Sequence, residues 1–216
     1  TITEPDGTTT KVNGPGPLLS DATQNHLIAT LTRHAQSADW VALAGSLPKG
    51  IDAGWYTDLI KEIRNAAPQA RIAVDTSDAP MKAIAEQLDS AAPDLIKPNG
   101  FELGQLTGQD GLALERAAAA GDYSPVVKAA RDVVKRGIKE VLVTLGGAGA
   151  VLVTADGAWA ATPPPATVKS TVGAGDAALA GYLLGRTQGQ GPAESLALSV
   201  AYGTAAAATV SYTHLT

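Results

Sequence analysis

Two periods of hydrophobicity alternate along this chain. Short aliphatic runs recur at Trp40–Ala44, Arg71–Asp75, Asp94–Ile96, Glu140–Thr144 and Ala150–Thr154. Runs of that kind, bounded by glycine or proline, read as buried strands. Between them lie longer stretches with helical spacing, over about 22–36, 53–66, 80–91, 124–136, 174–187 and 192–209. A short helix opens at Asn99. Asp21 is read as the cap of the first helix, with Gln24 three residues on. Ser124 is read as a cap with Pro125 in the first turn, and Gly137 stops that helix. Residues 1–13 alternate β-branched and polar side chains around Pro5-Asp6-Gly7, the pattern of a hairpin. Asp156-Gly157 turns one strand back onto Ala158–Ala160 in antiparallel fashion, and Pro163–Pro165 is an extended linker. Strands alternating with helices predict an α/β fold with a mainly parallel sheet. The hairpin falls outside that alternation and is assigned to a small separate sheet.

Composition narrows the classes. At 216 residues and 45% apolar content the chain can bury one sizeable core, and 4% aromatics make that core aliphatic. The net charge of −5 and the lack of a basic run argue against nucleic acid as the main partner. There is no cysteine, which excludes disulfides and thiolate metal sites and fits a reducing compartment. No apolar run approaches the roughly 18 residues of a membrane span. The opening residues are not a signal peptide, and without a starting methionine the chain reads as part of something longer.

In doubly wound folds ligands sit at the carboxyl ends of the strands, and four polar clusters follow predicted strands here. Ser170-Thr171-Val172-Gly173-Ala174-Gly175-Asp176 precedes the run Ala177–Leu184, apolar on all sides and expected to be buried. The first turn of that helix, with its free N–H groups and dipole, makes an anion site. A carboxylate beside a bound phosphate is repelled by it, so Asp176 reads either as a first-turn acid or as a base for an attacking hydroxyl. Lys97-Pro98-Asn99-Gly100-Phe101-Glu102 supports two readings as well. Asn99 and Glu102 have the spacing of a capping box; alternatively Lys97 meets a nucleotide phosphate while Asn99 and Glu102 hold hydrated Mg²⁺. Thr144-Leu145-Gly146-Gly147-Ala148-Gly149 is a tight turn or an anion nest. In Gly45–Gly50, Ser46 is a loop residue or a ligand for a sugar phosphate. Asp75 and Asp78 follow a strand, where turn chemistry explains them as well as catalysis does. Gly173-x-Gly175-x-x-Ala178 matches a dinucleotide fingerprint formally, but a proline linker precedes it where a strand is needed. His26, His34 and His214 are scattered.

Taken together, the Ser170–Asp176 run, Asn99-Gly100-Phe101-Glu102, Lys97-Pro98 and the 144–149 turn resemble, in order and spacing, the ribokinase-like (phosphofructokinase B type) sugar kinases. Ser170 in place of Asp or Asn, with Gly45-Ser46-Leu47-Pro48 upstream, is most similar to that family's phosphosugar branch, above all the 1-phosphofructokinases. The resemblance implies a ribokinase-like domain over 14–209, a lid-hairpin remnant at 1–13 and an atypical tail at 210–216. It implies ATP- and Mg²⁺-dependent phosphorylation of fructose 1-phosphate, with 6-phosphofructokinase or tagatose 6-phosphate kinase activity as alternatives. Asp176 would be the base, with the amides of Gly173, Ala174 and Gly175 as anion hole. Lys97, Asn99 and residues 144–149 would hold ATP, Ser46 the sugar phosphate, and Asn99 with Glu102 the metal. It also implies a cytoplasmic enzyme; a lid edge often serves such kinases as an interface, so a homodimer of the parent is one option and the oligomeric state stays open, while charge and apolar patterning point to neither nucleic acid nor membrane as partner. A non-catalytic nucleotide- or sugar-phosphate-binding module is the alternative from another class. The family's N-terminal sugar-gripping Asp and most of its lid are not in this chain, so the chain alone is expected to bind ATP weakly and transfer nothing.

Overall fold

The computed structural model describes residues 2–3, 9–10, 14 and 16–209. The tip of the predicted hairpin, Pro5-Asp6-Gly7, and the tail 210–216 lie outside the described residues. In chain order the elements are β1 (Ile2–Thr3), β2 (Thr9–Thr10), α1 (Asp21–Ala35), β3 (Trp40–Ala44), α2 (Trp55–Ala66), β4 (Arg71–Asp75), α3 (Asp78–Glu86), α4 (Leu88–Ala91) and β5 (Leu95–Ile96). They continue with α5 (Gly100–Thr107), α6 (Gly111–Ala119), α7 (Ser124–Lys135), β6 (Glu140–Thr144), β7 (Ala150–Thr154), β8 (Ala158–Ala161), α8 (Ala174–Thr187) and α9 (Pro192–Ala208). β1 and β2 pair antiparallel, Ile2 opposite Thr10. The other six strands form one sheet in the order β3-β4-β5-β6-β7-β8. β3 to β6 run parallel, with Ala44 level with Asp75 and Val74 level with Ile96. This is the α/β architecture the alternation predicts.

Contacts divide the chain into two compact units: Pro15–Leu145 with Val151–Ala158, and Thr1–Gly14 with Gly146–Ala150 and Trp159–Thr216. In the larger, the middle strands are buried on both faces. Ile72, Val74, Leu95, Ile96 and Val141–Val143 are 0–1% exposed, and Ile60, Ile63, Ile84 and Leu103 close over them from the helices. Near-continuous burial is what a parallel sheet covered on both sides requires. β3 departs from the expectation of a buried strand. It is an edge strand with Ala42 and Ala44 exposed, and α1 buries only Ala35.

In the smaller unit α8 and α9 pack at close range. A Cβ at Gly181 would stand 2.7 Å from Leu198 O and 2.9 Å from the Tyr202 Cβ, so only glycine lets the two backbones approach this far. α8 is less buried than its apolar run predicts. Ala178, Leu179, Gly181, Tyr182 and Gly185 face inward, while Leu184 is 37% exposed.

Other differences are local. Ser20, not Asp21, caps α1, its Oγ accepting from Thr23 N at 3.2 Å. The predicted 80–91 helix breaks at Gln87 into α3 and α4. Tyr123, not Ser124, stands at the cap of α7, and the Asp122 carboxylate accepts from Ser124 N. α6, capped by Asp110, has no counterpart in the sequence reading. Asp78 is the one non-glycine residue with positive φ, 54°, among the described residues. None of the described helices is long and apolar enough to cross a membrane.

Candidate active site

The carboxyl ends of β3 to β6 assemble a polar cluster in the larger unit. Lys97 follows β5, and its N–H donates to Val74 O. The adjacent parallel strand β4 ends at Asp75, and the Lys97 ammonium meets the Asp75 carboxylate at 3.0 Å. Both groups are largely shielded from water, with side chains 6% and 16% exposed. Pro98 then ends the strand. Its carbonyl accepts from Thr144 N at 3.0 Å, and Asn99 bridges to Thr144 in parallel fashion. Leu145 is buried, and a Cβ at Gly100 would stand 3.3 Å from its Cδ2 and 2.5 Å from Glu115 Cγ. Lys97, Asn99, Glu102, Thr144 and Leu145 are thus brought into one neighbourhood.

Asn99 and Glu102 form a full capping box. Asn99 Oδ1 accepts from Glu102 N at 2.7 Å, and Glu102 Oε2 accepts from Asn99 N at 2.8 Å. Burial pushes the Glu102 carboxyl above the usual glutamate range. The Asn99 N–H and the Lys97 charge pull it back, and the charges of Asp75 and Asp78 raise it again. Glu102 therefore feels the Lys97 ammonium and the charges of Asp75 and Asp78. Asp75 and Asp78 are the members that turn chemistry alone left ambiguous. The parallel register of β4 against β5 was the signal that could have paired Asp75 with Lys97.

Ser46 sits beyond the end of β3, exposed, directly after Gly45. Gly45 N donates to Asp75 O at 2.8 Å, so the two strand ends stay level.

The remaining predicted residues belong to the smaller unit. Gly146–Ala148 form one turn of 3₁₀ helix, closed by Gly149 N onto Gly146 O at 3.0 Å. Ser170 is buried, and its Oγ accepts from Val172 N. Lys169 N and Ser170 N both donate to Ala207 O, which ties this segment to the end of α9. Gly173 is the N-cap of α8 in the left-handed region, φ 79°, with no side-chain cap. Ala174 N donates to Thr171 O, and Ala177 N closes the first helical bond onto Gly173 O. Asp176 stands exposed in that first turn, where the positive end of the helix favours anions.

A family model described as pfkB family carbohydrate kinase matches residues 1–215. The chain is 41% identical over 194 residues to 1-phosphofructokinase of Rhodobacter capsulatus, covering 89% of this chain and 57% of that protein. It is 32% identical over 200 residues to 1-phosphofructokinase of Escherichia coli K12, covering 93% and 59%. Among solved structures, phosphofructokinase-2 from Escherichia coli in complex with substrates and products superposes with a TM-score of 0.78 at 28% identity, covering 95% of this chain and 62% of that one. The chain thus spans somewhat under two thirds of the length of the proteins it matches.

Proposed function

Because this chain belongs to the pfkB family of carbohydrate kinases, we propose that the protein transfers the γ-phosphoryl group of ATP to fructose 1-phosphate, giving fructose 1,6-bisphosphate and ADP. Support for the substrate comes from the name 1-phosphofructokinase carried by relatives at 41% and 32% identity. The observation that carries the chemistry is Asp176, an exposed carboxylate in the first turn of a helix capped by left-handed Gly173.

Phosphoryl transfer depends on positioning and charge stabilisation rather than on covalent chemistry. Asp176 takes the proton of the attacking sugar hydroxyl. The amides of Gly173, Ala174 and Gly175 hold the charge on the transferred group. Lys97, Asn99 and the Thr144–Gly149 segment bind the nucleotide, and Ser46 binds the sugar phosphate. Kinases of this family use ATP, typically with a divalent metal. The donors of the larger unit fit hydrated Mg²⁺. They are hard oxygens, and Glu102, raised first by burial and then by the charges of Asp75 and Asp78, is a carboxylate that a cation would stabilise. Among the described residues no three acidic or histidine side chains stand close enough to hold a bare ion, in keeping with Asn99 and Glu102 acting through water. Mg²⁺ bound there would neutralise phosphate charge.

A coupled ADP-release assay on the full protein tests the proposal. Fructose 1-phosphate should give a higher kcat/KM than fructose 6-phosphate or tagatose 6-phosphate. A preference for either of the latter reassigns the substrate, and ATP binding without turnover of any of the three selects the non-catalytic binding module instead.

A further inference from the structure

The carboxyl end of β3 is fixed more firmly than a strand end requires. Gly45 O accepts two hydrogen bonds, from Tyr56 Oη at 3.0 Å and from Thr76 Oγ1 at 2.9 Å. The Tyr56 hydroxyl also reaches Ala44 O at 3.2 Å. A carbonyl has two lone pairs, so two donors use its full capacity. Both donors are buried, Tyr56 at 6% and Thr76 at 4% exposure, and they come from different elements, α2 and the segment after β4. Gly45 N is held as well, by Asp75 O, and Gly45 itself lies at φ +97°, where the chain turns sharply out of the sheet. The peptide plane between Gly45 and Ser46 is thereby pinned from two sides, at the point where the chain delivers an exposed serine.

We propose that Tyr56 and Thr76 are positioning residues for the sugar-phosphate end of the site, fixing the Gly45–Ser46 peptide so that Ser46 meets the phosphate of the substrate. The proposal rests on the reading of Ser46 given above. If the two hydroxyls serve only to satisfy buried polar groups, their loss lowers stability and leaves substrate affinity alone. If they position Ser46, the loss falls on one substrate only.

The test measures both KM values, kcat and thermal melting for Tyr56→Phe, Thr76→Val and Ser46→Ala in the full protein. Tyr56→Phe and Thr76→Val should each raise KM for fructose 1-phosphate about 3- to 10-fold, the span of one neutral hydrogen bond. KM for ATP and kcat should stay within twofold. The double variant should exceed the product of the two, because either hydroxyl alone still holds the carbonyl. Thr76→Ser, which keeps the hydroxyl, should restore the parent KM. Should Tyr56→Phe not fold, the near-isosteric Thr76→Val and its Thr76→Ser control carry the test. A sugar-phosphate KM within twofold of the parent in Thr76→Val, while Ser46→Ala raises it, overturns the positioning role and leaves the reading of Ser46 standing. Silence of Ser46→Ala overturns both. Equal rises in the two KM values mean a general loosening and overturn the proposal too.

Discussion

Glu102 caps α5 and is proposed to orient hydrated Mg²⁺, and one pair of substitutions separates the two. As the third residue of α5 it accepts from Asn99 N at 2.8 Å, while its own N–H donates to Asn99 Oδ1 at 2.7 Å. Glu102→Gln keeps an acceptor in the same place and leaves the other bond untouched, so stability should change by less than about 0.5 kcal/mol. Glu102→Ala removes the acceptor and leaves a part-buried N–H without it, which costs about 1–2 kcal/mol. At about 2–4 °C per kcal/mol for a chain of this size, the Ala variant should melt about 2–8 °C lower and the Gln variant close to the parent. Both substitutions delete the negative charge. A carboxylate and Mg²⁺ about 4 Å apart through one water attract by about 2 kcal/mol even in bulk-water dielectric. Allowing for the residual pull of the amide dipole, the half-saturating Mg²⁺ of the Gln variant should rise on the order of tenfold. The assays are a thermal melt and a Mg²⁺ titration of kcat in the full protein. A Gln variant whose Mg²⁺ curve overlays the parent returns Glu102 to capping alone, and one that melts as low as Ala refutes the box.

Asp176→Asn should lower kcat on the order of 10²–10⁴-fold with little change in ATP affinity by calorimetry; activity within a few-fold of the parent sinks its role as base. Asp94, buried at the amino end of β5, accepts from Ile72 N at 2.8 Å and pairs with Arg64 at 2.6 Å and Lys139 at 2.8 Å. Burial alone would raise its carboxyl, but Lys139, Ile72 N–H and Arg64 hold it below the usual aspartate range. A depressed carboxyl stabilises the fold fully above its unfolded pKa of about 3.9 and less as pH falls further. Asp94→Asn should therefore cost about 2–3 kcal/mol at pH 7, since both cations are partly exposed and regain water. The gap should narrow below about pH 4 in denaturant titrations, and a gap constant down to pH 3 refutes the linkage. Gly181→Ala should destabilise despite the roughly 1 kcal/mol gain in helix propensity, because the added methyl overlaps Leu198 O; a variant melting at or above the parent refutes the close packing of α8 on α9.

What the sequence disclosed was mostly local chemistry. Asn99 and Glu102 are three residues apart, and their capping box needs nothing from the rest of the chain. Arg71–Asp75 and Glu140–Thr144 were legible as strands because central parallel strands are apolar throughout. α6 was missed because its run of alanines, Ala117–Ala119, carries no period. The break between α3 and α4 is written in the backbone of Gln87, φ −120°, not in any breaker residue. Ser20 and Asp21 are equally good caps, and one residue of backbone geometry chose between them. The Tyr56 clamp was invisible because the hydroxyl reaches Gly45 only once α2 lies against β3. The pairing of Lys97 with Asp75 spans two strands and depends on their register.

Asp78 carries a consequence for how this cluster can be tuned. Left-handed backbone costs an ordinary L-residue about 1–2 kcal/mol, and aspartate tolerates it better than most. Asp78→Gly would relieve that strain, yet glycine gives back roughly 0.5–1 kcal/mol through the greater freedom of its unfolded chain. The two nearly cancel, so the conformational account of the β4–α3 turn is almost indifferent to the exchange. The charge account is not. Burial is the main cause that raises Glu102, and Asp78, after Asp75, is the smallest, so its removal should move Glu102 ionisation only slightly toward lower pH. The first residue of α3 thus bears, through its charge alone, on the proton affinity of a side chain on α5.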